Sequence, residues 1–237
     1  KRIGHLTRAT PYAFQRERCW FRARPKPPAL SANGRDSGHA LLGTHRRMAG
    51  STQLFESIVA ADRPAFVRQH RVQGHVVLPG TAWLDTLLAC ARSALRNDAV
   101  RVEDVVVQEA MLLDDDGAAR VLQAVVEPAH GGGHAVTLCS QPATAGAGDA
   151  WITHVQARLV VDAGPMHAAI DLAALQQRLD KTVAPEDFYA GFERRGLDFG
   201  PGFRGIRRLQ HGASAAGGAT EALGEIELAD DLATDGG

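Results

Sequence analysis

The stretch that decides the fold runs from His70 to Leu95 and reads HRVQGHVVLPGTAWLDTLLACARSAL. A histidine opens it, Gly74 follows four residues later, and Pro79 comes five residues after that. Beyond Pro79 the apolar side chains recur at the spacing of one helical face. The residues between them are mostly small. We therefore predict a helix that is buried nearly all round, with the Thr81 hydroxyl as its N-cap.

The composition of the 237-residue chain is that of a folded protein, with 45% hydrophobic residues and a net charge of −1. This charge gives no general reason to expect a nucleic acid partner. No apolar run approaches the length of a membrane span, and we expect no membrane partner and no signal peptide. The three cysteines, Cys19, Cys90 and Cys139, are far apart. That pattern is typical of a reducing compartment, so we expect a cytoplasmic protein.

The spacing of His70, Gly74 and Pro79 ahead of a helix resembles the H-x-x-x-G-x-x-x-x-P signature of the dehydratase domains of modular polyketide synthases. The segment HALLG at residues 39–43 is similar to the start of such domains. The segment WITHVQARL at residues 151–159 is similar to their W-x-x-H-x-x-G-x-L strand, with alanine in place of the glycine.

A fourth segment of the chain, LDFGPGFRG at residues 197–205, is similar to the Y-G-P-x-F loop of the same family. Phe199 stands where the family has tyrosine, so a hydrogen bond from that hydroxyl is lost while ring packing is kept. Gly200 and Pro201 match the family's pattern. The same segment contains a G-x-G-x-x-G match, but no buried strand is predicted before it, so we exclude dinucleotide binding.

The resemblance implies a double hotdog fold, in which an antiparallel sheet wraps one central helix, twice. The order of elements agrees, since about four predicted strands follow the helix, the last and longest at residues 151–161. A turn at residues 114–117 is predicted to close a hairpin. We thus predict an α+β hotdog fold with a linker over residues 1–38, an N-terminal hotdog over 39–163, and a linker with an incomplete C-terminal hotdog over 164–237.

Two further expectations concern the segments near the two ends of the chain. The segment PYAFQRERCWF at residues 11–21 resembles the end of an acyltransferase domain, so we expect the chain to be cut from a longer synthase. The family's second catalytic residue is an aspartate in a D-x-x-x-Q or D-x-x-x-H pattern. Asp230, Asp231 and Asp235 lack that pattern. We therefore expect the catalytic acid to be missing.

The resemblance implies dehydration of a β-hydroxyacyl thioester held on the phosphopantetheine of an acyl carrier protein. His70 is expected to be the base, since histidine is the usual general base near neutral pH. The amide of Gly74 and the start of the helix at Thr81 are expected to hold the thioester oxygen, and Pro79 and Gly80 are expected to contact the substrate. The loop with Phe199, Gly200 and Pro201 is expected to line the substrate channel. We expect no metal and no further cofactor.

Other interpretations stay open. A single histidine in an apolar segment is more often structural than catalytic, and a degenerate module for architecture or carrier docking fits the same sequence. A related hotdog cyclase or isomerase shares the histidine motif.

The expected partners are the carrier protein, neighbouring acyltransferase and ketoreductase domains, and a second copy in a homodimer. Arg207 and Arg208 are most simply solvated, with carrier docking as the alternative.

Overall fold

The computed structural model describes residues 34–146, 148–161, 164, 169–213 and 220–228, which all belong to one compact unit. The acyltransferase-like segment at residues 11–21 lies outside the described residues, as do Asp230, Asp231 and Asp235. Short 3₁₀ helices cover Ala65–Gln69 and Pro201–Phe203. In chain order the other elements are β1 (Gly34–Asp36), β2 (Thr44–Arg46), β3 (Gln53–Val59), β4 (His70–Val72), β5 (His75–Val77), α1 (Gly80–Leu95), β6 (Val100–Val107), β7 (Leu112–Leu113), β8 (Arg120–Pro128), β9 (His134–Pro142), β10 (Ile152–Val161), α2 (Leu172–Arg178), β11 (Lys181–Val183), α3 (Pro185–Glu193), β12 (Leu197–Phe199), β13 (Ile206–Ala213) and β14 (Thr220–Ile226).

The strands form three antiparallel sheets. The largest has seven strands in the order β1-β2-β3-β8-β9-β10-β6. A second has the order β12-β4-β5-β7, and a third has the order β11-β13-β14. Helix α1 packs against β6 and β10 of the largest sheet. One helix against a long antiparallel sheet is the predicted α+β hotdog arrangement.

The core lies between α1 and the largest sheet. Trp83, Leu87 and Cys90 of the helix are buried, and they belong to the same cluster as Phe55 and Leu138 of the strands. Burial of each such side chain stabilises the fold by about 1.5–3 kcal/mol. Side chains that recur at helical spacing after Pro79 form the buried face of α1, so the spacing predicts the helix correctly.

The prediction that α1 is buried all round is wrong. Leu84 is 45% exposed, and the side chain of Asp85 is 72% exposed. Thr81 is not the N-cap, because the helix begins at Gly80 with Pro79 in the capping position and no side-chain cap. Proline suits this place, since an extended backbone precedes the helix and no amide hydrogen is needed there.

The turn at residues 114–117 forms as predicted, with the Gly117 amide donating to the Asp114 carbonyl and a positive φ of 81° at Gly117. It does not close a hairpin. Strand β7 before the turn pairs with β5, whereas β8 after it pairs with β3 and β9. The local sequence specifies the turn, but the partners of its strands are set by long-range packing.

Strand β10 is the predicted long strand, with one irregularity in its alternation. Its pairing with β9 shifts between Thr153 and Val155, and both His154 and Val155 are buried. A bulge of this kind turns an extra side chain towards the interior. From Val155 onward the strand alternates regularly, with Val155, Ala157 and Leu159 buried.

Two strands pair with strands that lie across the predicted domain boundaries. Strand β1 lies within residues 1–38, which the sequence assigns to a linker, and pairs with β2 in the largest sheet. Strand β12 lies in the C-terminal segment, yet it pairs with β4 beside His70. Among the described residues, no helix is long and apolar enough to span a membrane.

Candidate active site

His70 begins β4, immediately after the 3₁₀ helix Ala65–Gln69, and its ring is half-buried. Its Nδ1 lies 2.8 Å from the carbonyl oxygen of Val77 on the neighbouring strand β5. A carbonyl only accepts hydrogen bonds, so Nδ1 carries the proton and Nε2 of the neutral ring is left as the acceptor. The hairpin therefore fixes both the orientation and the tautomer of His70.

Two phenylalanines flank the imidazole of His70. Phe199 lies directly opposite His70 in the pairing of β12 with β4, and their ring centroids are 5.5 Å apart. The ring of Phe203 lies at the same distance from His70. Phe66 lies against Phe203, at 6.4 Å between centroids. The loop with Phe199 and Phe203 thus lies against His70, and its rings give the imidazole an apolar setting.

Gln69 holds this loop in place, a role that the sequence does not predict. Its backbone carbonyl accepts from the Gly200 amide at 2.7 Å, and its side-chain Oε1 accepts from the Gly202 amide at 2.6 Å. A Cβ at Gly200 would lie only 2.8 Å from the Cβ of Gln69, so the loop needs glycine there. The partners are more than 130 positions apart, and no local signal in the sequence connects them.

A cleft of about 520 Å³ adjoins this aromatic group at the start of α1. Pro79, Thr81 and Ala82 line it from the helix, and Phe66 and Phe203 line it from the His70 side. The first amides of a helix have no acceptor inside the helix, and that end carries partial positive charge. The cleft therefore combines an apolar wall with a polar helix end. Its remaining lining residues are Gly38, His39, Ala40, Leu41 and Asp85.

His39 and Asp85 form an unpredicted polar pair at this cleft. His39 Nδ1 accepts from the Leu42 amide at 3.1 Å, so its Nε2 is the nitrogen that donates to Asp85 Oδ2 at 2.9 Å. The pair connects the segment before β2 to helix α1. It shapes one side of the cleft while leaving most of Asp85 exposed.

Gly74 lies away from this cleft. It occupies the tip of the β4–β5 hairpin with a φ of 84°, next to Gln73 with a φ of 52°. Two successive positive φ angles make a tight two-residue turn. Gln73, the first residue of this turn, lies three residues beyond His70, about 10 Å along an extended strand. Gly74 thus serves the turn that returns Val77 to His70, and the role of its amide at the thioester oxygen stays a prediction.

A second histidine, His154, lies buried against α1 with its ring stacked on Trp83 at 5.4 Å. Its Nδ1 donates to the Glu109 carbonyl at 3.0 Å, and its Nε2 accepts from Ser140 Oγ at 2.7 Å. Burial is the main cause that lowers the pKa of His154. A neutral histidine with both ring nitrogens hydrogen-bonded suits this buried position. The described residues contain no cluster of three or more metal-binding side chains.

Two family models match this chain. One, described as the polyketide synthase dehydratase domain, matches residues 39–141. The other, described as the polyketide synthase dehydratase N-terminal domain, matches residues 167–236, and together they cover more than half of the chain. The chain belongs to the polyketide synthase dehydratase family. The predicted family is thereby confirmed.

Relatives of this dehydratase-family chain are parts of large synthases. The spectinabilin polyketide synthase system protein NorA of Streptomyces orinoci is 28% identical over 193 residues, which are 80% of this chain and 10% of that protein. The polyketide synthase GfsE of Streptomyces halstedii is 30% identical over 224 residues, 92% of this chain and 6% of that protein. The chain thus spans a tenth or less of these relatives.

Solved dehydratase domains share the fold. The dehydratase domain from the CurF module of the curacin polyketide synthase matches with a TM-score of 0.74 and 25% identity, over 83% of this chain and 68% of that one. The dehydratase domain from the terminal module of the rifamycin polyketide synthase gives the same TM-score and identity, over 87% of this chain and 72% of that one. The hotdog prediction is confirmed.

Proposed function

We propose that this chain supplies the base of a dehydratase, which removes water from a β-hydroxyacyl thioester carried on an acyl carrier protein. The observation that carries the proposal is the hydrogen bond from His70 Nδ1 to the Val77 carbonyl. It leaves Nε2 as the acceptor, within an aromatic group that adjoins the apolar cleft. A base near an apolar wall suits proton removal from an acyl chain.

In the proposed reaction, His70 Nε2 takes the proton from the α-carbon of the thioester. The electron pair of that C–H bond forms the double bond between the α- and β-carbons, and the bond from the β-carbon to oxygen breaks. The leaving hydroxyl takes a proton from an acid and departs as water. The product is an α,β-unsaturated acyl thioester, and the amides at the start of α1 would stabilise charge on the thioester oxygen.

The acid of this reaction is expected from an aspartate, as the family implies. Within the described residues, no carboxylate forms an ion pair or hydrogen bond with His70. Asp85 lies at the cleft, but its oxygen accepts from His39. We therefore propose that His70 works with an acid supplied from outside the described residues.

The partners in this proposal follow from the substrate. The thioester arrives on phosphopantetheine of a carrier protein, and acyltransferase and ketoreductase domains are proposed as neighbours in the same synthase. A homodimer and a cytoplasmic location are proposed with them. Synthase relatives of far greater length support the presence of neighbouring domains.

A non-catalytic module is a second candidate, and Phe199 is the observation that favours it. The family has tyrosine there, and in this fold the residue lies directly against His70. Loss of a hydroxyl at that place removes one polar group from the site. A cyclase or isomerase of the hotdog type uses the same histidine and differs in its product.

The product distinguishes these functions. A polypeptide that contains this chain and extends to the full length of the solved dehydratase domains is incubated with β-hydroxyacyl thioesters on a carrier protein, and the acyl group is analysed by mass spectrometry. Loss of one water with a conjugated double bond supports dehydration. A ring or a shifted double bond indicates cyclisation or isomerisation. Unchanged substrate with folded protein supports the non-catalytic module.

A further inference from the structure

A separate cleft of about 640 Å³ lies between the β1–β2 hairpin and the last two turns of α1. Three arginines line it: Arg35 from the hairpin, Arg92 from the helix and Arg96 from the C-cap position just after the helix. This cleft shares no lining residue with the cleft at the start of α1. The full lining is Arg35, Asp36, Ser37, His45, Ala89, Arg92, Ser93 and Arg96.

The positive charge of this cleft is not neutralised by the described residues. Arg46, on the same hairpin, pairs with Glu56, and Arg71 pairs with Asp115. The three arginines of the cleft have no such ion pair within the described part of the chain. The one carboxylate among the lining residues, Asp36, accepts from the Gly38 amide at 3.0 Å.

Helix α1 ends at this cleft, and its carbonyl end carries about half a negative charge. That charge offsets only part of the positive charge of the three arginines, even together with Asp36. The cleft therefore attracts anions. Arginine is also the side chain whose planar fork matches the oxygen pairs of phosphate and carboxylate groups.

His45 forms the inner wall of the cleft. Its half-buried ring stacks on Phe55, with centroids 4.6 Å apart and planes inclined by 19°. Burial lowers the pKa of His45 first, and the positive charges of Arg96 and Arg35 lower it further. The neutral ring offers one donor to an anion, and the hydroxyls of Ser37 and Ser93 offer others.

We propose that this cleft binds a phosphate group, either free or as part of a phosphate ester. Such a group has several oxygens that accept hydrogen bonds. The cleft offers donors to them from three guanidinium groups, two hydroxyls and one imidazole. The volume of about 640 Å³ leaves room for an organic part beside the phosphate. The proposal does not depend on the chemistry at His70, because the two clefts have no lining residue in common.

Binding is tested directly on the 237-residue chain. Inorganic phosphate, phosphopantetheine and pantetheine without phosphate are titrated at constant ionic strength, and the ring resonance of His45 is followed by NMR together with calorimetry. The expected result is a saturable shift of that resonance with both phosphate compounds and a rise in the His45 pKa, because an anion stabilises the imidazolium form. Tighter binding of phosphopantetheine identifies a phosphate ester as the ligand, and equal binding identifies free phosphate.

The double variant Arg92→Gln, Arg96→Gln is expected to weaken phosphate binding about tenfold or more. The matched control is Arg207→Gln, Arg208→Gln, which removes the same charge from an exposed strand elsewhere and is expected to leave binding unchanged within about twofold. Thermal unfolding checks that both variants fold. The proposal is overturned by an unsaturable response, by equal weakening in the control, or by pantetheine binding as tightly as phosphopantetheine.

Discussion

The side chain of Gln69 reaches across to the loop after β12, where its Oε1 accepts from the Gly202 amide at 2.6 Å. The carbonyl of the same residue accepts from the Gly200 amide. The residue before His70 thus holds the turn between Phe199 and Phe203, whose rings both contact His70. Gln69 is therefore a positioning residue for the proposed base.

Replacement of Gln69 tests this role. Gln69→Ala is expected to lower kcat while leaving the pH dependence of kcat in place, because the loop loses its acceptor but no charge changes. Gln69→Glu keeps an acceptor for the Gly202 amide and adds a negative charge next to His70. It is expected to restore most of kcat, because the loop regains an acceptor for its amide.

These pH profiles are measured on a polypeptide that carries this chain and turns over substrate. Wild-type kcat in Gln69→Ala would contradict the positioning role. A Gln69→Glu variant as slow as Gln69→Ala would show that the lost acceptor is not the cause of the slower reaction. Gln73→Ala is a matched control on the same hairpin, because its side chain donates to the Arg195 carbonyl rather than to the loop.

The glycines of the site make a second prediction. Gly200→Ala places a Cβ 2.8 Å from the Cβ of Gln69, and the crowding is expected to lower the free energy of unfolding by about 1–3 kcal/mol. Gly80→Ala is the matched control, since no atom lies within 4 Å of its added Cβ and the residue is helical. It is expected to raise stability by up to about 1 kcal/mol. Denaturant unfolding measures both, and equal effects would contradict the loop geometry.

The buried His154 predicts how stability depends on pH. Burial lowers its pKa in the folded state, so the unfolded chain binds the proton more readily. The contribution to stability is complete above the ordinary pKa of about 6.5 and is lost as the pH falls below it towards the lowered folded value. Unfolding by urea is therefore expected to become easier between pH 7.5 and about pH 5.

His154→Gln is expected to reduce this pH dependence, although the variant is less stable at every pH. His130→Gln is the control, because that residue is exposed in the loop before β9. The control is expected to keep the dependence of the wild type. A His154→Gln chain whose stability falls with acid as steeply as the wild type would show that another group causes the effect.

Much of this site follows from local sequence. The apolar spacing after Pro79 predicts α1, and the order of strands after it predicts the sheet. His70 and the Phe199–Phe203 loop are predicted by their resemblance to a known family, and the structure brings them together through the pairing of β12 with β4. The pattern alone does not specify that pairing, because it joins segments more than 120 positions apart.

The unpredicted features are those that depend on tertiary contacts. Gln69 and the His39–Asp85 pair have no local pattern, since their partners come from distant segments. The positive φ of Gly74 places it in the turn of the β4–β5 hairpin, which the motif alone does not indicate. The exposed side of α1 at Leu84 could not be inferred from composition, because an apolar side chain gives no sign of which face the sheet covers.

The role of His70 as the base is tested most directly by the rate at which water is lost from a β-hydroxyacyl thioester with and without this residue. The polypeptide extended to the length of the solved dehydratase domains is compared with its His70→Ala variant, and with His75→Ala as a control from the same hairpin. Mass spectrometry follows the acyl group. We predict that His70→Ala lowers the rate at least about a hundredfold, the usual contribution of a general base, while His75→Ala stays near the wild type. Equal rates in the wild type and a folded His70→Ala variant would contradict it.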